Sequence, residues 1–129
     1  MGSDTGMIDR WRSLSSCYHA VACQLERELQ DDHDLTMSEY ETLDRLIGVE
    51  CEKRRMQDLA ADMYLSQSAL SRTVARLEKG GLVERTLCQD DRRGVFVTPT
   101  EAGVRRHAEA RRTQLAILAQ HLEPQPAHA

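Results

Sequence analysis

Between Ser66 and Lys79 the chain places Leu70, Val74 and Leu77 at helical spacing, with Gln67, Ser68, Ser71, Arg72 and Arg76 on the opposite face. These polar types share one chemistry. An arginine can make a bidentate pair with guanine, a glutamine can pair with adenine, and serine can bond a phosphate or base edge without crowding the approach. Ser66, at the head of the segment, is a preferred N-cap residue and a further candidate contact. A second basic group follows at Asp91-Arg92-Arg93, where the arginines suit a narrow minor groove and Asp91 serves as a brace for one of them.

These residues need elements to hold them. A short helix is expected from Met56 to about Met63, then a turn at Tyr64-Leu65, then the helix from Ser66 to Lys79, stopped by Gly80-Gly81. Two helices joined by a tight turn, the second polar on its outer face, describe a helix-turn-helix. Leu82 to Leu87 and Val95 to Thr98 are β-prone runs on either side of a charged tip, residues 88–94, and predict a hairpin. Upstream, Thr36-Met37-Ser38-Glu39 is a capping box that opens a helix with Met37, Tyr40, Leu43, Leu46 and Ile47 inward, while Glu50 to Arg55 reads as a charged link.

Long helices flank this lobe. Ile8, Trp11, Leu14, Tyr18, Val21, Leu25 and Leu29 recur at steps of three or four and predict a helix from about Met7 to Gln30, broken by the acidic stretch from Asp31 to Asp34. Thr98-Pro99-Thr100-Glu101 predicts a helix start with the proline in its first turn, and helical spacing continues to Leu122. Pro124 and Pro126 end it, and residues 123–129 are expected to form a disordered tail. The stripe from Ile8 to Leu29 is long for a domain whose other helices are short. It predicts a homodimer, the alternative being that the stripe packs wholly within its own monomer.

Composition bounds the rest. The 129 residues fit one domain, and with 40% hydrophobic but only 4% aromatic residues the core must be aliphatic and helix-borne. The expected fold is therefore mainly α with a small β-hairpin wing. The net charge of -4 conceals an asymmetry: residues 1–52 hold 4 basic and 12 acidic side chains, whereas residues 53–93 hold 9 and 6. It is the local positive field that meets a phosphate backbone. No run approaches the ~18 apolar residues of a membrane span, and Asp9, Arg10 and Arg12 interrupt the first apolar stretch, unlike a signal peptide, so a cytoplasmic protein is expected.

The stretch from Leu59 through Ser66-Gln67-Ser68-Ala69-Leu70-Ser71-Arg72 to Gly80-Gly81-Leu82-Val83-Glu84-Arg85 resembles the MarR family of winged-helix transcription regulators. So does the pairing of Asp91-Arg92-Arg93 with Thr100-Glu101-Ala102-Gly103, which looks like the family's D-x-R and T-x-x-G signals. The resemblance covers residues 8 to 120. It implies a winged helix-turn-helix lobe over residues 36–98 and N- and C-terminal dimerisation helices over 7–30 and 101–122. It implies a homodimer on a near-palindromic operator in double-stranded DNA, with Ser66 to Arg76 in the major groove and Arg93 in the minor groove. A small-molecule inducer or an oxidant would release the DNA, as from a repressor. Pro99 departs from the family's apolar residue there, and the chain ends where many relatives have another helix.

For that signal the candidates are Cys17 and Cys23 as peroxide sensors, or small buried hydrophobes otherwise, and Trp11, Tyr18 and Tyr40 as ligand-pocket walls or plain core. The four cysteines, Cys17, Cys23, Cys51 and Cys88, lack zinc-finger spacing, and His19 with Cys23 alone shares a helix face; no metal or cofactor is expected. With no G-x-S-x-G, P-loop or H-E-x-x-H the chain is not expected to be an enzyme. The rival reading is a winged helix that docks protein without binding DNA directly. Positive charge on both recognition helix and wing speaks against it.

Overall fold

The computed structural model describes residues 2–47, 54–87 and 95–122. In chain order these are α1 (Gly2–His33), α2 (Met37–Ile47), β1 (Arg54–Arg55), α3 (Met56–Met63), α4 (Gln67–Lys79), β2 (Val83–Leu87), β3 (Val95–Pro99) and α5 (Glu101–His121). The strands form one antiparallel sheet in the order β1-β3-β2, with Arg54 opposite Val97 and Val83 opposite Pro99. No helix among these residues is long and apolar enough to cross a membrane.

Three expectations need correction. The helix read as Met7 to Gln30 runs from Gly2 to His33. The acidic residues end the apolar rhythm but not the backbone, which turns only at Asp34, in the left-handed region at φ 55°. Pro99 is not in a first helical turn. It ends β3, and Thr100 caps α5 instead. Arg54 and Arg55, read as part of a link, pair with β3 as a third strand. The α1 stripe packs only in part within the monomer, against the alternative to a dimer: Val21, Leu25 and Leu29 meet the core, but Met7, Ile8, Trp11, Leu14 and Tyr18 are 50 to 67% exposed. The expected tail, residues 123–129, lies outside the described residues.

The core sits where α2, α3 and α4 close on one another and on the sheet. Tyr40, Leu43, Leu46, Leu59, Leu70, Val74, Leu77 and Val97 are all buried there, each leucine removed from water contributing on the order of 2 kcal/mol. The capping box forms as the sequence predicts: Glu39 N donates to Thr36 Oγ1 at 3.0 Å and Thr36 N to Glu39 Oε1 at 2.7 Å.

The flanking helices pack together and are stitched by polar contacts. Arg106 donates to the His33 carbonyl at 2.8 Å, and His33 and His121 of α1 and α5 lie 2.7 and 2.8 Å from Thr113 and Gln24 on the opposite helix. Tyr40 reaches from α2 to donate to Gln114 at 2.7 Å, and its ring stacks on that of His107, which meets Asp44 at 2.8 Å. Burial, followed by the Asp44 charge, pushes the Tyr40 phenol up to about 12, so it stays neutral and donating at ordinary pH.

The T-x-x-G segment has a direct physical reason. Thr100 Oγ1 accepts from Gly103 N at 3.1 Å and donates to the Gly81 carbonyl at 2.7 Å, while Thr100 N donates to the Leu82 carbonyl at 3.0 Å. Gly103 is buried against that corner, and a Cβ placed on it would overlap the Leu82 carbonyl oxygen. Gly81, at φ 77°, makes the turn that presents these carbonyls. Gly103→Ala should therefore destabilise the fold by about 1 to 3 kcal/mol in urea unfolding; an unchanged midpoint would show that the corner can relax.

Candidate nucleic-acid interface

Helix α4 is fixed from one side only. Leu70, Thr73, Val74 and Leu77 are buried, and Thr73 turns its hydroxyl back to the Ala69 carbonyl at 3.1 Å. Gln67, Ser68, Arg72, Arg76 and Lys79 are exposed, with Ser71 half-buried among them. Ser66 takes the N-cap position, its hydroxyl accepting from Ala69 N at 3.1 Å, so its oxygen already serves the helix while its own proton stays available outward. The sequence-predicted residues of this helix thus lie on or beside one outward face.

The arginines of that face differ in their surroundings. Arg72 has no ion-pair partner among the described residues. Arg76 is bound: its Nε lies 3.1 Å from Glu39 Oε2, the carboxylate whose other oxygen caps α2. The Arg76 side chain remains 52% exposed while that of Glu39 is 11% exposed, so a mostly buried carboxylate holds a half-exposed cation by one nitrogen. A residue read from the sequence as a free groove cation is also a strut between α4 and α2.

Arg85, which sequence reasoning passed over, joins this face from β2. Its Nε lies 3.2 Å from Glu78 and its Nη2 donates to the Ser71 carbonyl at 3.4 Å. Strand alternation was the available signal, since Val83 is buried and Arg85 two positions on borders the helix end. Asp91, Arg92 and Arg93 lie outside the described residues, in the segment joining Leu87 to Val95.

The remaining candidates do not converge. Trp11 and Tyr18 are exposed on α1 and Tyr40 is buried under α5, so one protomer does not gather them into a pocket. Cys17 is half-buried and Cys23 exposed, both as free thiols. Among the described residues no three His, Cys, Asp or Glu side chains cluster as metal ligands. A cleft of about 370 Å³ does open behind α4, lined by Gln30, Asp34, Leu35, Thr36, Glu39, Arg76, Leu77, Gly80, Leu82 and Arg106. No sequence signal marked it, because its walls come from three segments far apart in the chain, residues 30–39, residues 76–82 and Arg106.

A helix-turn-helix backed by a three-stranded antiparallel sheet whose β2 and β3 form a hairpin defines a winged helix. A family model described as MarR family matches residues 33–94. The structure of AbsC, a MarR family transcriptional regulator from Streptomyces coelicolor, is 36% identical, with 87% of this chain and 75% of that one covered and a TM-score of 0.79. CouR from Rhodococcus jostii RHA1, bound to p-coumaroyl-CoA, is 30% identical, with 88% and 78% covered and a TM-score of 0.77. Sco3205, a MarR family transcriptional regulator from Streptomyces coelicolor in complex with DNA, is 27% identical, with 99% and 79% covered and a TM-score of 0.85. No curated protein sequence matches the chain significantly. The chain belongs to the MarR family of transcriptional regulators, and is a regulator rather than an enzyme.

The two arginines of α4 should separate by experiment. Arg72→Ala should weaken duplex affinity by about 1 to 3 kcal/mol where the side chain reads a base, and leave urea unfolding unchanged. Arg76→Ala should also lower stability, on the order of 1 kcal/mol, because it leaves the mostly buried Glu39 without its cation. Equal stabilities for the two variants would mean that the Arg76–Glu39 pair carries no structural weight.

Proposed function

We propose that the protein is a homodimeric, sequence-specific repressor that occupies a near-palindromic site in double-stranded DNA and leaves it on a chemical signal. The observation that carries this reading is the division of α4, whose apolar face is buried and whose Ser, Gln and Arg face stands outward in a chain that is acidic over its first 52 residues. Its place in a helix-turn-helix followed directly by the β2–β3 hairpin separates this face from ordinary solvated surface, and in the family member Sco3205 a DNA complex has been solved. The exposed stripe from Met7 to Tyr18 supports the dimer, since an apolar patch of that extent favours a covering surface. In the dimer the two α4 helices would enter successive major grooves, and Arg93 the minor groove beside one of them.

Release needs a site that senses and an element that responds. The cleft behind α4 offers a small anionic ligand the guanidinium hydrogens that Arg76 and Arg106 do not give to Glu39 and His33, beside the carboxylates of Asp34 and Glu39 that also line it, and Arg76 belongs to α4 itself. The family member CouR has been solved with an acyl-CoA, which is itself an anion. Oxidation at Cys17 or Cys23 is the second route, favoured by the exposure of Cys23.

Selection of bound fragments from a random duplex pool should enrich a near-palindrome with half-sites about 10 base pairs apart, or a multiple of that spacing. Titration of that complex with an aromatic carboxylate such as salicylate, and separately with hydroperoxide, should then lower its affinity with one of the two. Absence of enrichment would remove the DNA reading, and indifference to both agents would remove the proposed signals.

A further inference from the structure

The turn of the helix-turn-helix carries a side chain that packing inside the protomer does not explain. Tyr64 is 95% exposed, the most exposed of the large hydrophobic side chains described, although its neighbours Met63 and Leu65 both pack against the core. Its backbone lies at φ 57°, the left-handed region in which a side chain crowds the following carbonyl. Among the described non-glycine residues only Asp34 shares that conformation, and a short carboxylate tolerates it far better than a bulky ring.

The conformation closes α3, with Tyr64 in the left-handed position that commonly ends a helix. Tyr64 N donates to the Ala61 carbonyl at 3.3 Å, Leu65 N to the Ala60 carbonyl at 3.1 Å, and Ser66 caps α4 immediately afterwards. A glycine would make this turn without strain. Yet the tyrosine ring has no aromatic partner and its hydroxyl no hydrogen bond among the described residues. Those two backbone bonds account for the backbone conformation, but nothing described inside the protomer uses the exposed ring or its hydroxyl, so the use of the side chain lies outside it.

Its position identifies the partner. The turn leads directly into the N-terminal end of α4, where Gln67 and Ser68 are exposed, and phosphates border any groove that this end enters. We infer that Tyr64 is a backbone contact for duplex DNA, its phenol donating a hydrogen bond to a phosphate oxygen beside the groove occupied by α4. This rests on the DNA-binding reading above and adds a residue to it. A neutral donor at that place fixes the register of the helix and carries no sequence information of its own. It also releases no counterion, unlike an arginine or lysine on the same phosphate.

The test compares the full-length protein with its Tyr64→Phe and Tyr64→Gly variants by duplex titration across a salt series, using the selected site and a random duplex, with thermal unfolding alongside. Tyr64→Phe should weaken binding about fivefold for each protomer engaged, by the same factor on both duplexes, and with the salt slope unchanged. Tyr64→Gly should weaken it at least as much, while its melting temperature does not fall. Binding of Tyr64→Phe within about twofold of the unaltered protein overturns the contact. A clear drop in the melting temperature of Tyr64→Gly overturns it as well, since the ring would then serve the fold. If the unaltered protein binds neither duplex at low salt, the DNA reading itself fails and takes the contact with it, an outcome distinct from the other two.

Discussion

Gly103 has no room for a side chain because the Leu82 carbonyl fills the space, and Thr100 spends its backbone nitrogen and its hydroxyl on the same corner, Gly81-Leu82. That joint lies where the chain leaves the sheet and starts its last long helix. Leu82 is buried directly after the end of α4, so the joint also sets the C-terminal end of the recognition helix. In the proposed dimer, contacts through α1 and α5 would therefore hold the two α4 helices at a defined separation. Without the joint, an outward basic face would be a surface on a hinge, and spacing between half-sites would have no structural origin.

Charge is distributed to the same end. Acidic residues dominate the first 52 positions, yet the one acidic side chain described as touching α4 from that region, Glu39, serves as a cap for α2 and an anchor for Arg76. The capping role keeps it buried, and burial makes its charge costly unless paired. Arg76 is thus tied to a second element while Arg72, one turn earlier, has no such tie among the described residues. Arg76 braces α4 against α2, and Arg72 is left to the outward face. The cleft behind α4 shares the Arg76 side chain, which would give a ligand there a physical route to the outward face of α4.

Much of this is legible in the order of the amino acids. The apolar face of α4, its Ser66 cap, the Thr36/Glu39 capping box and the hairpin all follow from local spacing and from the chemistry of single residues, and local rules read such features well. The misses have a common cause. Arg54 and Arg55 become a strand only because β3 offers a free edge, and their sequence has no alternation to announce it. Pro99 ends a strand because Val83 pairs with it. Glu39 and Arg76 are 37 positions apart, and no local pattern links them. The strain at Tyr64 is a property of the turn, visible only as a dihedral angle. The long α1 teaches the opposite lesson: its unpartnered stripe is readable, but its ends are not, because polar residues extend a helix without leaving a periodic trace.

The central claim is that a rigid frame presents two copies of the α4 face at groove spacing. The most direct measurement is the distance between spin labels at Ser68→Cys in the two protomers, in a background with the native cysteines replaced, recorded by pulsed electron resonance on the DNA complex. One narrow distribution at roughly 30 to 40 Å, near one turn of duplex, is expected. A broad distribution, or no dipolar coupling at all, would contradict it.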